Sequence, residues 1–149
     1  MNRDRLQQLE EVAALLRLRL QDAQMRAALL RRDLDLAQRN RDIADAQREE
    51  IEAGWRRSLS DGAGLDLNSI SAWRAMATTA QSRCTAAEQS LRQARETLDA
   101  FGRELSRHQS LSERGDESAE RERTVLARKH DDKTSNAILE RHNAMGVQA

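Results

Sequence analysis

The side chains able to do chemistry in this chain are few and scattered. His108, His130 and His142 are separated by 22 and 12 residues, and the only cysteine, Cys84, lies well before all three. Zinc sites draw their ligands from short spacings such as two cysteines two to four residues apart, so no metal centre is expected. The cluster His130-Asp131-Asp132 could attract a cation weakly, but adjacent residues of a helix point in different directions and do not converge. Gly62 and Gly64 are not followed by the Gly-Lys-Ser/Thr that a phosphate loop uses to set backbone amides and a lysine on phosphates. Arg114-Gly115-Asp116 spells the cell-adhesion tripeptide inside a charged, helix-rich stretch, where it reads as a chance occurrence. The pairs Arg31-Arg32 and Arg56-Arg57 have acids close by and read as solvated surface, not as a phosphate-reading stripe. No catalytic residue and no cofactor is expected, and the chain does not read as an enzyme.

Composition explains why such sites are missing. Of 149 residues, 34% are charged, three are aromatic and none is proline, where average usage would give roughly seven prolines. Strands are enriched in aromatic and β-branched side chains, so an all-β fold is excluded, and the absence of proline favours long uninterrupted helices. The 25 basic and 25 acidic side chains cancel, which argues against a dedicated nucleic-acid binder. A lone cysteine cannot form an internal disulfide and needs no oxidising compartment, so a cytosolic chain is expected. The longest apolar run, residues 12–16, is far short of the ~20 residues a membrane span requires. The first twenty residues scatter charge where a signal peptide would be apolar.

Hydrophobic periodicity supplies the elements. A strict alternation of three and four residues from Leu6 lands on fifteen positions up to Trp55, and all but Arg41 and Arg48 are apolar. A 3.5-residue repeat held this long marks a helix that supercoils left-handedly against a partner. At 1.5 Å per residue such a helix is roughly 80 Å long. The predicted helix spans about 3–58. Gly, Ser, Asp and Asn cluster only in the stretch that follows, so a turn is predicted over about 59–68, with Gly62 and Gly64 free to take positive φ and Asp66 or Asn68 as helix cap. A second template then lands on eleven positions from Ile70 to Leu105, every one apolar or Cys84, within a predicted helix over about 69–145. Two helices with matched seams and a short turn are antiparallel neighbours. The expected fold is all-α, one long two-helix antiparallel coiled-coil hairpin across residues 1–149. Six acid–arginine pairs four residues apart, among them Asp22/Arg26 and Glu117/Arg121, are expected to decorate its surface.

The seam does not look balanced. With the hairpin centred near residue 62 or 63, facing residues sum to about 125, which sets Leu20 against Leu105 and Leu6 against Ala119. The first helix is richest in leucine near its start, yet the facing register reads His108, Ser112, Gly115, Ala119 and Glu122. Exposed leucines forfeit ~1.5–3 kcal/mol each, so this end is expected to dock elsewhere, unless a stutter moves the second seam to Leu111 and Val125. Leu15, Leu29, Leu36 and Ile43 form a second stripe outside the seam; it suits either a partner or the wider core of a homodimeric four-helix bundle. Past about residue 122 the second helix runs on as a charged overhang bearing Val125, Leu126, Ile138 and Leu139. Trp55 and Trp73 flank the turn, either packed on each other as a cap or forming a partner-binding tip. Cys84 reads as a small buried seam residue.

Two long helices worded in Ala, Leu, Arg, Gln and Glu, RRDLDLAQRNRDIADAQREEIEAGW and CTAAEQSLRQARETLDAFGREL, are followed by the charged segment GDESAERERTVLARKHDDK. Over its whole length the chain thereby resembles the central-stalk proteins of type III secretion, the FliJ/YscO group of flagellar and injectisome export systems. The resemblance implies a cytoplasmic, non-enzymatic stalk whose terminal end enters the hexameric secretion ATPase. It further implies a reach to the cytoplasmic ring of the export gate and engagement of export chaperones, with no nucleic-acid partner and no membrane insertion. By that analogy Leu6, Leu9, Leu16, Val125, Leu126 and Leu139 lie at the ATPase contact, and Leu36, Ile43, Trp55 and Trp73 toward the gate. A monomer is expected in preference to a homodimer. The competing reading is a homodimeric scaffolding coiled coil with no ATPase partner.

Overall fold

The computed structural model describes residues 2–61 and 66–147. Among these the protein is all-α, with two helices, α1 (Asn2–Ser60) and α2 (Leu67–Val147), paired as an antiparallel coiled-coil hairpin. The boundaries expected from periodicity lie within two residues of those observed for both helices. Gly62 and Gly64 lie outside the described residues. Asp66, the first of the two predicted caps, starts α2: its carboxylate accepts the Ser69 amide at 2.7 Å, and its carbonyl accepts the Ile70 amide at 3.1 Å. These bonds satisfy donors that a helix N-terminus otherwise leaves unpaired.

Two compact units make up the hairpin: one comprises residues up to Gln24 with those from Glu104 onward, the other Met25–Arg103. In the Met25–Arg103 unit the core is Ala27, Ala37, Ala44, Ala80, Cys84, Leu91 and Phe101, all buried. Every seam position predicted on α1 from Ala27 to Trp55 is buried or half-buried. Small side chains at most of these positions let the helix backbones approach closely. Phe101 is the one large ring among them, and the Arg26 guanidinium lies over it at 5.3 Å. Of the six predicted acid–arginine pairs, only Glu117/Arg121 closes among the described residues, at 3.7 Å; Arg26 stacks on Phe101 in place of pairing with Asp22.

At the turn end of this unit the seam opens. Ile70 is 40% exposed and Ala77 is exposed, although both fall on the predicted template. The cause is the bulk of Trp55 and Trp73, whose rings lie 6.2 Å apart at 50° and leave beside them a recess of about 280 Å³ lined by Ile70 and Ala77. The two tryptophans therefore pack on each other, as the cap reading expects. Gly54 is what admits them: a Cβ there would stand 2.6 Å from Cη2 of Trp73.

In the other unit the seam of α2 continues without a stutter through Ser112, Gly115, Ala119 and Glu122, while Leu111 and Val125 are 38% and 42% exposed. Facing residues sum to about 128, not 125: Ala13 lies beside Gly115, and Arg5 reaches Glu122 at 3.9 Å. Ala13 and Ala119 are the most buried residues here, at 0% and 2% exposure.

Candidate functional site

Where the first helix is richest in leucine, the structure separates two sets of side chains. Leu6, Leu9, Leu16 and Leu20 are half-buried in the seam. Leu16 lies over the bare backbone of Gly115, its Cδ1 only 2.8 Å from where a Cβ would sit. The expected mismatch is thus largely absorbed by size: Ser112, Gly115 and Ala119 are poor in apolar surface but small enough to let the leucines reach the facing backbone. In this stretch the apolar side chains of α1 left to solvent are Val12, Leu15 and Leu18, at 50%, 50% and 58% exposure. The candidate ATPase contact on α1 therefore consists of half-buried Leu6, Leu9 and Leu16 beside a freely exposed set that a count of leucines alone does not separate from the seam.

On α2, Leu126 is half-buried and is the last residue to share in the seam. Each residue from Ala127 to Gly146 is exposed. Continued past Leu126, the seam template lands on Lys129, Lys133, Asn136, Glu140 and Asn143, all polar. Val125 and Leu139 are 42% and 57% exposed, and Ile138 and Met145 reach 62% and 72%.

Two ion pairs between the helices of this unit lie along one edge. Arg17 bonds Asp116 at 2.8 Å, and Arg123 bonds Glu10 and Glu120, each at 3.0 Å. The two carboxylates hold the Arg123 guanidinium pKa above its ordinary value. Glu10, Arg17, Asp116 and Arg123 all occupy the same heptad position beside the seam, where antiparallel helices meet. That shared position, with opposite signs at matched levels, was a signal in the sequence; reading only pairs within one helix missed it. Each pair is exposed and screened by water, so the pairs fix register more than they stabilise.

The candidate gate residues do not form one surface. Leu36 and Ile43 are 57% and 56% exposed, and Leu36 lines a shallow groove of about 400 Å³ with Asn40, Ser90, Gln93 and Thr97. Trp55 and Trp73 are half-buried and line the recess that also holds Glu52 and Arg74, on the other side of the seam. Cys84 is 1% exposed; burial first, and then hydrogen bonding to Asp45, push its thiol pKa up. Such a thiol is poorly nucleophilic. No group of three or more His, Cys, Asp or Glu side chains converges on a metal position among the described residues. No described helix is long and apolar enough to cross a membrane. No protein-family model, curated protein or solved structure matches the chain.

Proposed function

We propose that the protein is a non-enzymatic central stalk of a type III secretion ATPase, coupling the ATPase ring to the export gate and engaging export chaperones, in the cytoplasm beside a membrane secretion apparatus. The observation that carries this reading is the run of α2 from Ala127 to Gly146, helical and exposed on every side. Most helical stability in proteins comes from packing an apolar face, and this run packs none within the hairpin. Ile138, Leu139 and Met145 would contribute ~1.5–3 kcal/mol each on full burial, which a ring lumen supplies and the hairpin does not. Val12, Leu15 and Leu18 add exposed apolar surface in the same unit. The resemblance of the two helices to secretion stalks selects the partner, and the coiled-coil pairing within each unit suits a part that transmits position and performs no chemistry.

The reading is tested by ATP hydrolysis of the secretion ATPase of the same organism, with and without the full chain, while light scattering follows ring formation. Faster turnover and larger assemblies are expected, both lost in the Ile138→Asp/Leu139→Asp variant. Equal turnover with and without the chain, and no co-sedimentation, would overturn it.

A further inference from the structure

One face of the Met25–Arg103 unit is poor in charge and carries an exposed apolar stripe. Between the levels of Leu29 and Glu50, the two sides of the seam differ sharply in charge. On the side of the Leu36 groove, the fourteen flanking positions carry three charges, Asp33, Glu50 and Arg83. The fourteen on the opposite side carry nine. The charge-poor side also has relief: α1 presents Leu29, Leu36 and Ile43 as knobs, at 57%, 57% and 56% exposure, whereas α2 presents, apart from Arg83, exposed small or uncharged residues, including Ala86, Gln93 and Ala100.

Knobs and hollows stand at matched levels. Leu29 is level with Ala100, Leu36 with Gln93 and Ile43 with Ala86, each pair of numbers summing to 129. A twofold axis along the hairpin lays α1 of one copy antiparallel on α2 of the other without changing level, so Leu29 and Ile43 meet the small Ala100 and Ala86, and Leu36 meets the uncharged Gln93, each beside its own counterpart. This is the self-complementarity that an isologous interface requires. Arg83 and Glu50, about one turn apart in level, are brought near each other across the axis with opposite signs. The face is about 32 Å long and about 20 Å wide at 1.5 Å per residue and ~10 Å per helix. Two copies would cover about 1,300 Å², inside the range of ~1,200–2,000 Å² for stable association.

We infer that the free protein self-associates through this face into an antiparallel four-helix dimer, with Leu29, Leu36 and Ile43 of each copy seated on Ala100, Gln93 and Ala86 of the other. The inference does not rest on the stalk reading. If both hold, Leu36 and Ile43 cannot face a gate while the dimer is intact, so self-association and gate engagement exclude each other.

Sedimentation equilibrium of the full chain between about 1 and 200 µM tests it. Wild type is expected to pass from monomer to dimer in this range, and Leu36→Lys and Gln93→Glu chains are each expected to remain monomeric with unchanged helicity. Mixing those two variants is expected to restore a dimer, since the introduced ammonium of one chain and the introduced carboxylate of the other then meet at one level. A wild-type monomer throughout the range overturns the inference. So does a dimer indifferent to both substitutions, or one that the mixture fails to restore. A monomer whose Leu36→Lys variant alone loses gate binding would assign the face to another protein; it would overturn the dimer and leave the stalk reading standing.

Discussion

Gly54 and Gly102 make a controlled pair, because both sit inside helices of the Met25–Arg103 unit and differ in what a methyl group would meet. At Gly102 nothing lies within 4 Å of an added Cβ. Gly102→Ala should therefore return the intrinsic helix preference alone, a gain of about 0.8–1 kcal/mol. At Gly54 the same methyl would stand 2.6 Å from Cη2 and 3.2 Å from Cζ3 of Trp73. Carbon pairs are comfortable at about 3.5–4.0 Å, so the indole must retreat by about 1 Å, and it is backed by Trp55 at 6.2 Å. Overpacking of this kind costs about 1–3 kcal/mol, which cancels or exceeds the helix gain. Gly54→Ala is thus expected to be neutral to destabilising by about 2 kcal/mol. A phenylalanine at position 73 lacks the outer ring atoms that collide, so Gly54→Ala added to Trp73→Phe should recover the gain, with a coupling of at least about 1 kcal/mol in the double-mutant cycle. Urea unfolding followed by circular dichroism at 222 nm and by tryptophan fluorescence reads all four chains, since both tryptophans lie in this unit. If Gly54→Ala stabilises as much as Gly102→Ala, the close packing of Gly54 on Trp73 is wrong.

Further expectations follow from the same contacts. Ala13 is fully buried, so Ala13→Leu should overpack the terminal unit by about 1–3 kcal/mol and lower its melting temperature, whereas Leu15→Ala on the exposed stripe should shift the melt very little. Removing the cap with Asp66→Ala should lower stability at neutral pH. The Ser69 amide and hydroxyl hold the Asp66 carboxyl below its ordinary value of 3.8, so the wild-type advantage is present above that value and fades as pH falls through the lower folded one; equal melts of the two chains at pH 7 would contradict the cap. Cys84 should resist a disulfide reagent at pH 7.5 in the folded chain and react promptly in urea, as burial and a raised pKa require; prompt reaction without urea would show that the seam opens there.

Much of the fold was legible because one period governed it. Leu6, Ala13, Leu20 and Ala27 fall seven apart, and the template drawn from them marks the observed seam of α1 to Trp55. Three features escaped. The hairpin register was one: Ala13 lies beside Gly115, a facing sum of about 128 where a centre near residue 62 or 63 gives 125. Apolar counting scored Ser112, Gly115 and Ala119 as weak core, whereas in a tight helix pair small volume matters more than hydropathy. The groove beside Leu36 needed both helices at once, since Leu29, Leu36 and Ile43 are visible as a stripe on α1 but the small-residue hollow belongs to α2.

The central claim is that α2 beyond Leu126 is a docking segment. Amide hydrogen exchange of the full chain, alone and with the assembled secretion ATPase, tests it most directly. The account predicts rapid exchange over residues 127–146 in the free chain and strong protection there once the ring is added. Exchange that stays rapid in the presence of the ring, or protection confined to the Met25–Arg103 unit, would contradict it.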